Sequence, residues 1–338
     1  MKLDAKNRIA KRMQGVHGEA AFEMFGRATE LERQGRSIIH LEIGEPDFDT
    51  PEPVVRSAID WLKKGATHYS PVPGVFELRQ AIATNLSSRH SVEIDPANVI
   101  VSPGAKMMIF TIIHSVIDPG DEVIYPDPAY PAYEAAVRMA GGTPVPVELE
   151  EAKEFRLNVS EVARRITPRT KMIIINSPQN PTGGVLTLDD LKGLGDLARR
   201  HDLVILSDEI YSKIYYGDRS ASMLDVPNIL DRLFLVNGFS KTCAMTGWRL
   251  GYGVLPHDSF GAVELFMNNS VSSSATFTQR AALAAFSDKT NQAIEKMVQE
   301  FRKRRDVFAD GLNSIPGIRC LKPLGAFYLF PNISALGR

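Results

Sequence analysis

With 338 residues, 44% of them apolar and 23% charged, the chain has an ordinary globular composition; its length exceeds what one small core needs, so a large unit with a smaller companion is expected. The 39 Lys and Arg nearly balance the 40 Asp and Glu, which excludes a long-range electrostatic pull toward nucleic acid or an anionic membrane. The only cysteines are Cys243 and Cys320, and the 7 histidines are scattered without ligand spacing, which excludes a zinc pattern and a disulfide framework and makes a reducing cytoplasm the expected compartment.

Residues 1–15 alternate basic and apolar side chains without the hydrophobic stretch of a signal peptide. Residues 19–35 read as an amphipathic helix, because Ala21, Met24, Phe25, Ala28 and Leu31 recur at helical spacing. The passage 42–53 is dense in Gly, Pro and Asp and cannot form a regular element. Helices are expected over 53–64 and 75–89.

From residue 98 short β-branched runs alternate with helical patterns. The runs are 98–102, 122–125, 172–175, 203–206 and 233–236; the helical patterns lie near 105–116, 130–140, 188–200 and 257–288. The apolar stretch 107–117 is too short to span a bilayer and contains His114. This alternation predicts an α/β fold: a large domain with a mainly parallel sheet covered by helices on both faces. A further helix is expected over 289–313, then short strands near 317–321 and 326–330 that begin a smaller α+β domain. The expected division is 1–45 as an N-terminal segment and part of the small domain, 46–285 as the large domain, and 286–338 as the start of the small C-terminal domain.

Ligands of open α/β sheets bind outside the carboxyl ends of the strands. Each of the five runs is followed by a polar or glycine-containing cluster: 103–106, 127–130, 176–183, 208–211 and 238–242. A lysine that forms an imine needs a restricted, partly desolvated loop in which its amine can be neutral. Lys241, flanked by Phe239, Met245 and Trp248, suits this better than the solvated setting usual for a lone lysine. Arg249 offers a planar guanidinium to a phosphate, or a plain surface salt bridge. Gly104, Ala105 and Lys106 open a helix whose bare amides can hold an anion, although many such turns bind nothing.

Asp208 and Tyr211 stand three residues apart on one side of a turn, where a carboxylate could pair with a protonated ring nitrogen and a phenol could donate to a ring oxygen; Asp208 reads equally well as a helix N-cap. Asn180 could donate its amide to a ligand oxygen, or simply belong to a tight turn with a cis bond before Pro181. Tyr130 and Tyr133 could stack on a flat ring or pack in the core.

Six motifs occur in order: Gly-Glu-Pro-Asp-Phe-Asp-Thr-Pro (44–51), His-Tyr-Ser-Pro-Val-Pro-Gly (68–74), Asn-Pro-Thr-Gly (180–183), Asp-Glu-Ile-Tyr (208–211), Ser-Lys with Gly-Trp-Arg (240–249) and Gly-Ala-Phe-Tyr (325–328). In this combination the chain resembles the class I/II aminotransferases, the fold-type I pyridoxal phosphate enzymes of the aspartate aminotransferase group. The resemblance implies a Schiff base on Lys241, whose amine then shuttles the proton between substrate and cofactor. It implies that Asp208 keeps the pyridine nitrogen protonated, that Asn180 and Tyr211 hold the phenolic oxygen, and that Arg249 and the Gly104–Lys106 amides bind the phosphate. Ser240 joins the cofactor-binding set, Tyr130 stacks on the ring, and Gly44 and Asn180 serve the substrate. Tyr69 reaches the phosphate of the neighbouring subunit, which implies a homodimer.

The expected reaction moves an amino group between an L-amino acid and a 2-oxo acid. A carbon–sulfur lyase, a decarboxylase, a cyclopropane-forming synthase or an aminotransferase-like sensor domain are the alternatives; about 40 residues before Gly44 are too few for a DNA-binding domain. Two departures from the family pattern stand out. Gly238 occupies a position that is serine in many members. The chain also stops at Arg338, and the arginine that clamps the substrate carboxylate in the family is expected to lie beyond that point.

Overall fold

The β-branched runs form the interior of one sheet. The computed structural model describes residues 10–16 and 18–337; the terminal positions 1–9, His17 and Arg338 of the sequence reading lie outside them. Seven strands, β1 (Val99–Ser102), β2 (Glu122–Asp127), β3 (Thr143–Glu148), β4 (Thr170–Asn176), β5 (Val204–Asp208), β6 (Leu233–Gly238) and β7 (Gly251–Val254), lie in the order β1-β7-β6-β5-β4-β2-β3. The β6-β5-β4-β2-β3 portion is parallel, and β7 is inserted antiparallel between β6 and β1.

Both faces of this sheet are covered, which explains the near-continuous apolar runs. Alternate residues feed opposite layers. Ile173, Ile175, Ile205 and Leu235 join one core, with residues of the helices α2 (Glu52–Lys63), α3 (Phe76–His90) and α7 (Leu188–Arg200). Met172, Ile174, Leu206 and Phe234 join the other, with α4 (Ala105–Val116) and α5 (Ala132–Ala140). The α/β architecture with a mostly parallel sheet is therefore as the sequence predicts.

Two strands escape periodicity. In β3, Pro144 and Pro146 cannot donate ladder bonds, and the strand sits at the sheet edge where such residues are tolerated. In β7, Gly251 and Gly253 interrupt any β-branched signal. The long helix expected over 257–288 is instead split. Its first part ends at Ser270, Ser272 turns to φ 60°, and helix resumes at Thr276; the serines of 272–274 favour turns over helix interior. A short helix, Val159–Arg165, capped by the Asn158 side chain, was not expected.

The strands expected near 317–321 and 326–330 do not form. Single bridges join Arg319 to Asn332 and Tyr215 to Gly325. Ala326 adopts φ 56°, which breaks an extended run, and Tyr328 beyond it turns inward beside Tyr211. The helix Asp288–Asn313 matches the expectation for 289–313, and its Met297 and Phe301 pack with Ile210, Ile214 and Ala326. The first helix, Ala20–Arg33, forms where its periodicity indicates, yet Met24 and Phe25 stay about half exposed and only Ala28 is buried.

Candidate active site

Strand register brings the chemistry together. Asn176 pairs with Asp208 at the ends of β4 and β5, Asp208 pairs with Val236 of β6, and Gly238 and Ser102 both pair with Gly251. The polar clusters that follow these strands thus open on one edge. There a cavity of about 1100 Å³ is lined by Gly44, Ala105, Lys106, Tyr130, Asn180, Asp208, Tyr211, Ser240, Lys241 and Arg249. Ten positions singled out in the sequence therefore meet in one space, and Gly104 lies against Arg249 at its margin. Tyr69 does not line this cavity; it is 91% exposed.

Lys241 sits in the loop after β6, and its Nζ donates to the Gly44 carbonyl at 2.5 Å. Burial is the main cause that pulls its amine down to about 8; Arg249 and Lys106 add to this, while Glu45 and Glu19 oppose it. The 44–51 passage is laced to the same loop. Thr246 donates to Glu45 at 2.6 Å, Trp248 Nε1 donates to Thr50 at 2.9 Å, and Thr50 donates to the Ala244 carbonyl at 2.7 Å.

Asp208 is 3% exposed and forms no ion pair among the described residues. Its Oδ2 accepts from the Tyr133 hydroxyl at 2.7 Å and its Oδ1 from the Ile210 amide at 3.1 Å. Burial pushes its carboxyl up to about 6, against the pull of Tyr133, the Ile210 amide and the Lys241 charge. The Tyr211 hydroxyl shares a 2.6 Å hydrogen bond with that of Tyr328, and burial raises its pKa well above the ordinary value. The Asn180 amide nitrogen of the backbone donates to Asn176 Oδ1 at 2.8 Å, and the bond before Pro181 is cis. Tyr130 meets Tyr133 edge to face with ring centroids 5.6 Å apart.

Gly104 takes φ 89° and caps α4, whose first-turn amides, Ala105 and Lys106, have no intrahelical acceptor. A Cβ on Gly104 would come within 2.6 Å of Arg249 Nη2, so only glycine lets guanidinium and helix start converge. Arg249 donates to the Thr246 carbonyl at 2.9 Å and has no carboxylate partner among the described residues. The Lys106 ammonium instead pairs with Glu19 at 2.5 Å. Gly238 is also explained: a Cβ there would lie 2.9 Å from Gly251 Cα, so the serine of many family members has no room against this β7.

Sequence reasoning missed several participants. Tyr133 appeared only as a ring to stack or to pack, whereas its hydroxyl addresses Asp208. Tyr328, quoted within its motif without a role, bonds Tyr211 and packs against Gly44. Glu19 carried no signal at all. The combined set offers an anion cradle, a buried carboxylate with no ion-pair partner among the described residues, aromatic walls and a partly neutral amine. Those are the complements of a flat phosphorylated pyridine bearing an aldehyde.

The family model for aminotransferase class I and II matches residues 36–337. An aspartate aminotransferase of Geobacillus stearothermophilus is 39% identical over 96% of this chain and 83% of its own length. The aromatic-amino-acid aminotransferase 2 of Thermococcus litoralis is 40% identical, over 97% of this chain and 84% of its own. The solved aspartate aminotransferase of Thermus thermophilus with maleate superposes with a TM-score of 0.93 at 37% identity, covering 96% of this chain and 85% of that one. Sequence, fold and cavity lead to one conclusion: the chain belongs to the class I and II aminotransferases, and it is a pyridoxal-phosphate-dependent amino-acid aminotransferase.

Proposed function

We propose that Lys241 carries pyridoxal phosphate covalently through Nζ and that its amine moves the proton at the substrate α-carbon. The observation that carries this reading is the convergence of the Lys241 amine, the Asp208 carboxylate and the Arg249 guanidinium on a single cavity. When bound, the cofactor supplies an electron sink for the carbon from which the proton is taken. Asp208 would hold the ring nitrogen and keep it protonated, because a cation beside a buried carboxylate satisfies both charges. Asn180 and Tyr211 hold the phenolic oxygen, and Tyr130 covers the ring. Arg249, Ser240 and the amides of Gly104, Ala105 and Lys106 hold the phosphate. The Lys241 amine, drawn down to about 8 by burial, is partly neutral near physiological pH and can accept a proton.

Gly44 and Asn180 orient the substrate. The named relatives act on aspartate or on aromatic amino acids; the cavity is lined by Lys106, paired with Glu19, by Arg304, paired with Asp47 and Glu300, and by the rings of Tyr130, Phe327 and Tyr328. The working unit is a homodimer in which Tyr69 serves the neighbouring site. The exposure of Tyr69, Phe76 and Leu265 supports this. The division at 45 and 285 separates a large cofactor-binding domain from segments of a smaller one, and the enzyme works in the cytoplasm.

A panel of amino donors tested against 2-oxoglutarate and pyruvate checks the reading. Keto-acid formation should depend on the acceptor and vanish in Lys241→Ala. Product formed without any acceptor would point to a lyase or decarboxylase, and transamination retained by Lys241→Ala would overturn the assignment.

A further inference from the structure

Between Asp208 and Tyr211, both of which line the cavity, lies a second acidic residue that faces away from it. Glu209 is 4% exposed and is absent from the cavity wall. Its Oε1 gathers three donors from outside the site: the Ser207 hydroxyl at 3.0 Å, the Ser222 hydroxyl at 2.9 Å and the Met223 amide at 3.0 Å. A buried carboxylate is costly. Burial pushes this one up to about 7, while its hydrogen bonds pull the other way.

The partners of Glu209 are themselves fixed. Ser222 caps the short turn Met223–Asp225, and Asp225 Oδ2 accepts in return from the Ser222 amide at 2.9 Å. Asp225 is held in turn by His90 at 2.9 Å and Arg219 at 3.0 Å. The half-buried guanidinium of Arg89, at the end of α3, interacts electrostatically with Glu209 and donates to the Ser212 carbonyl at 3.3 Å. Ser212 carries a parallel set of bonds on the same rear side: its carbonyl accepts from Ser220 at 3.0 Å, and its hydroxyl accepts from Asn237 at 3.1 Å. Residues 209 and 212 thus face a polar network behind the sheet edge, while 208 and 211 face the cavity.

We infer that Glu209 is a positioning residue: with Ser212 it clamps the 208–212 turn from behind, through Ser222 and Met223, and so sets where the Asp208 carboxylate and the Tyr211 hydroxyl stand. A buried network with every member satisfied specifies one geometry, and removing one member leaves others unpaired. This inference rests on the proposed roles of Asp208 and Tyr211 toward the cofactor ring.

The test uses the full chain loaded with pyridoxal phosphate and compares Glu209→Ala, Glu209→Gln and Ser222→Ala with the unaltered protein, well below each melting temperature. In Glu209→Ala the cofactor Kd should rise about tenfold and its visible absorption band should shift, with kcat lowered and KM for the amino donor little changed. Glu209→Gln keeps an acceptor for the three donors and should restore most of the affinity and the band. Ser222→Ala should fall between them, and it decides the matter if Glu209→Ala does not fold. Folded variants with unchanged cofactor Kd and unchanged absorption, whatever their melting temperature, would overturn the clamp. Reduction of the unaltered protein separates this from the underlying reading, since a cofactor trapped on Lys241 upholds that reading even where the clamp fails.

Discussion

The Tyr133 hydroxyl donates to Asp208 Oδ2 across 2.7 Å, from a side chain with no solvent exposure. This bond favours the ionised carboxylate, whereas burial favours the neutral one and prevails, leaving Asp208 at about 6. Tyr133→Phe keeps the ring and deletes the donor. A hydrogen bond to a charged group contributes about 1.5–3 kcal/mol, so Asp208 should titrate roughly one to two pH units higher in the variant. The acid limb of kcat/KM should move up with it. Carbon-13 NMR of the aspartate carboxyls in the cofactor-free protein reads the shift directly; an unmoved Asp208 resonance would show that the bond does not set its charge.

Asp208 also makes a stability prediction with a definite sign. Its folded value of about 6 lies above the ordinary 3.8. Between those values the folded state binds more protons than the unfolded state, so stability falls as pH rises through the window and the full penalty applies above it. Without cofactor, Asp208→Asn should therefore be more stable than the unaltered protein at pH ~8, by a few kcal/mol at most and with a higher melting temperature, and lose that advantage near pH ~4. Calorimetry at the two pH values decides it; an advantage that grows on acidification contradicts the burial argument.

Gly104→Ala should injure the anion cradle. The φ of 89° strains any residue with a Cβ, and that Cβ would stand 2.6 Å from Arg249 Nη2. The strain costs about 1 kcal/mol or more, and displacement of the guanidinium should weaken pyridoxal phosphate by at least about tenfold. Pyridoxal, which lacks the phosphate, should bind almost as before. Equal losses for the two ligands would place the damage elsewhere.

Thr50→Val removes two of the bonds that tie the 44–51 passage to the lysine loop. Thr50 accepts from Trp248 Nε1 and donates to the Ala244 carbonyl, so the variant leaves a part-buried indole N–H unpaired at a cost of about 1–3 kcal/mol. Urea unfolding measures this. In a Trp61→Phe background Trp248 is the remaining indole of the two, and its emission should change with the loss of its partner.

The legible parts of this molecule are those where chemistry follows a strand. Lys241, Asp208 and Asn180 each come shortly after an apolar run, and the rule that sites gather at strand ends was enough to bring them together. The Tyr133–Asp208 bond joins positions 75 residues apart, and nothing in periodicity reports which tyrosine of the 130–133 pair turns inward. Glu19 meets Lys106 across 87 positions, with the same difficulty. In the sheet, β3 and β7 were hidden by the prolines and glycines that fit them to an edge and to a close crossing. The C-terminal segment misled for the reverse reason: its short apolar run, Ala-Phe-Tyr-Leu-Phe over 326–330, reads as strand, while Ala326 bends the backbone and Tyr328 enters the cavity.

The central claim is that one lysine carries the cofactor. Borohydride reduction of the loaded protein, followed by peptide mass spectrometry, should find a phosphopyridoxyl group on the peptide that contains Lys241. A label on Lys106 or Lys213, or none on Lys241, would contradict the account.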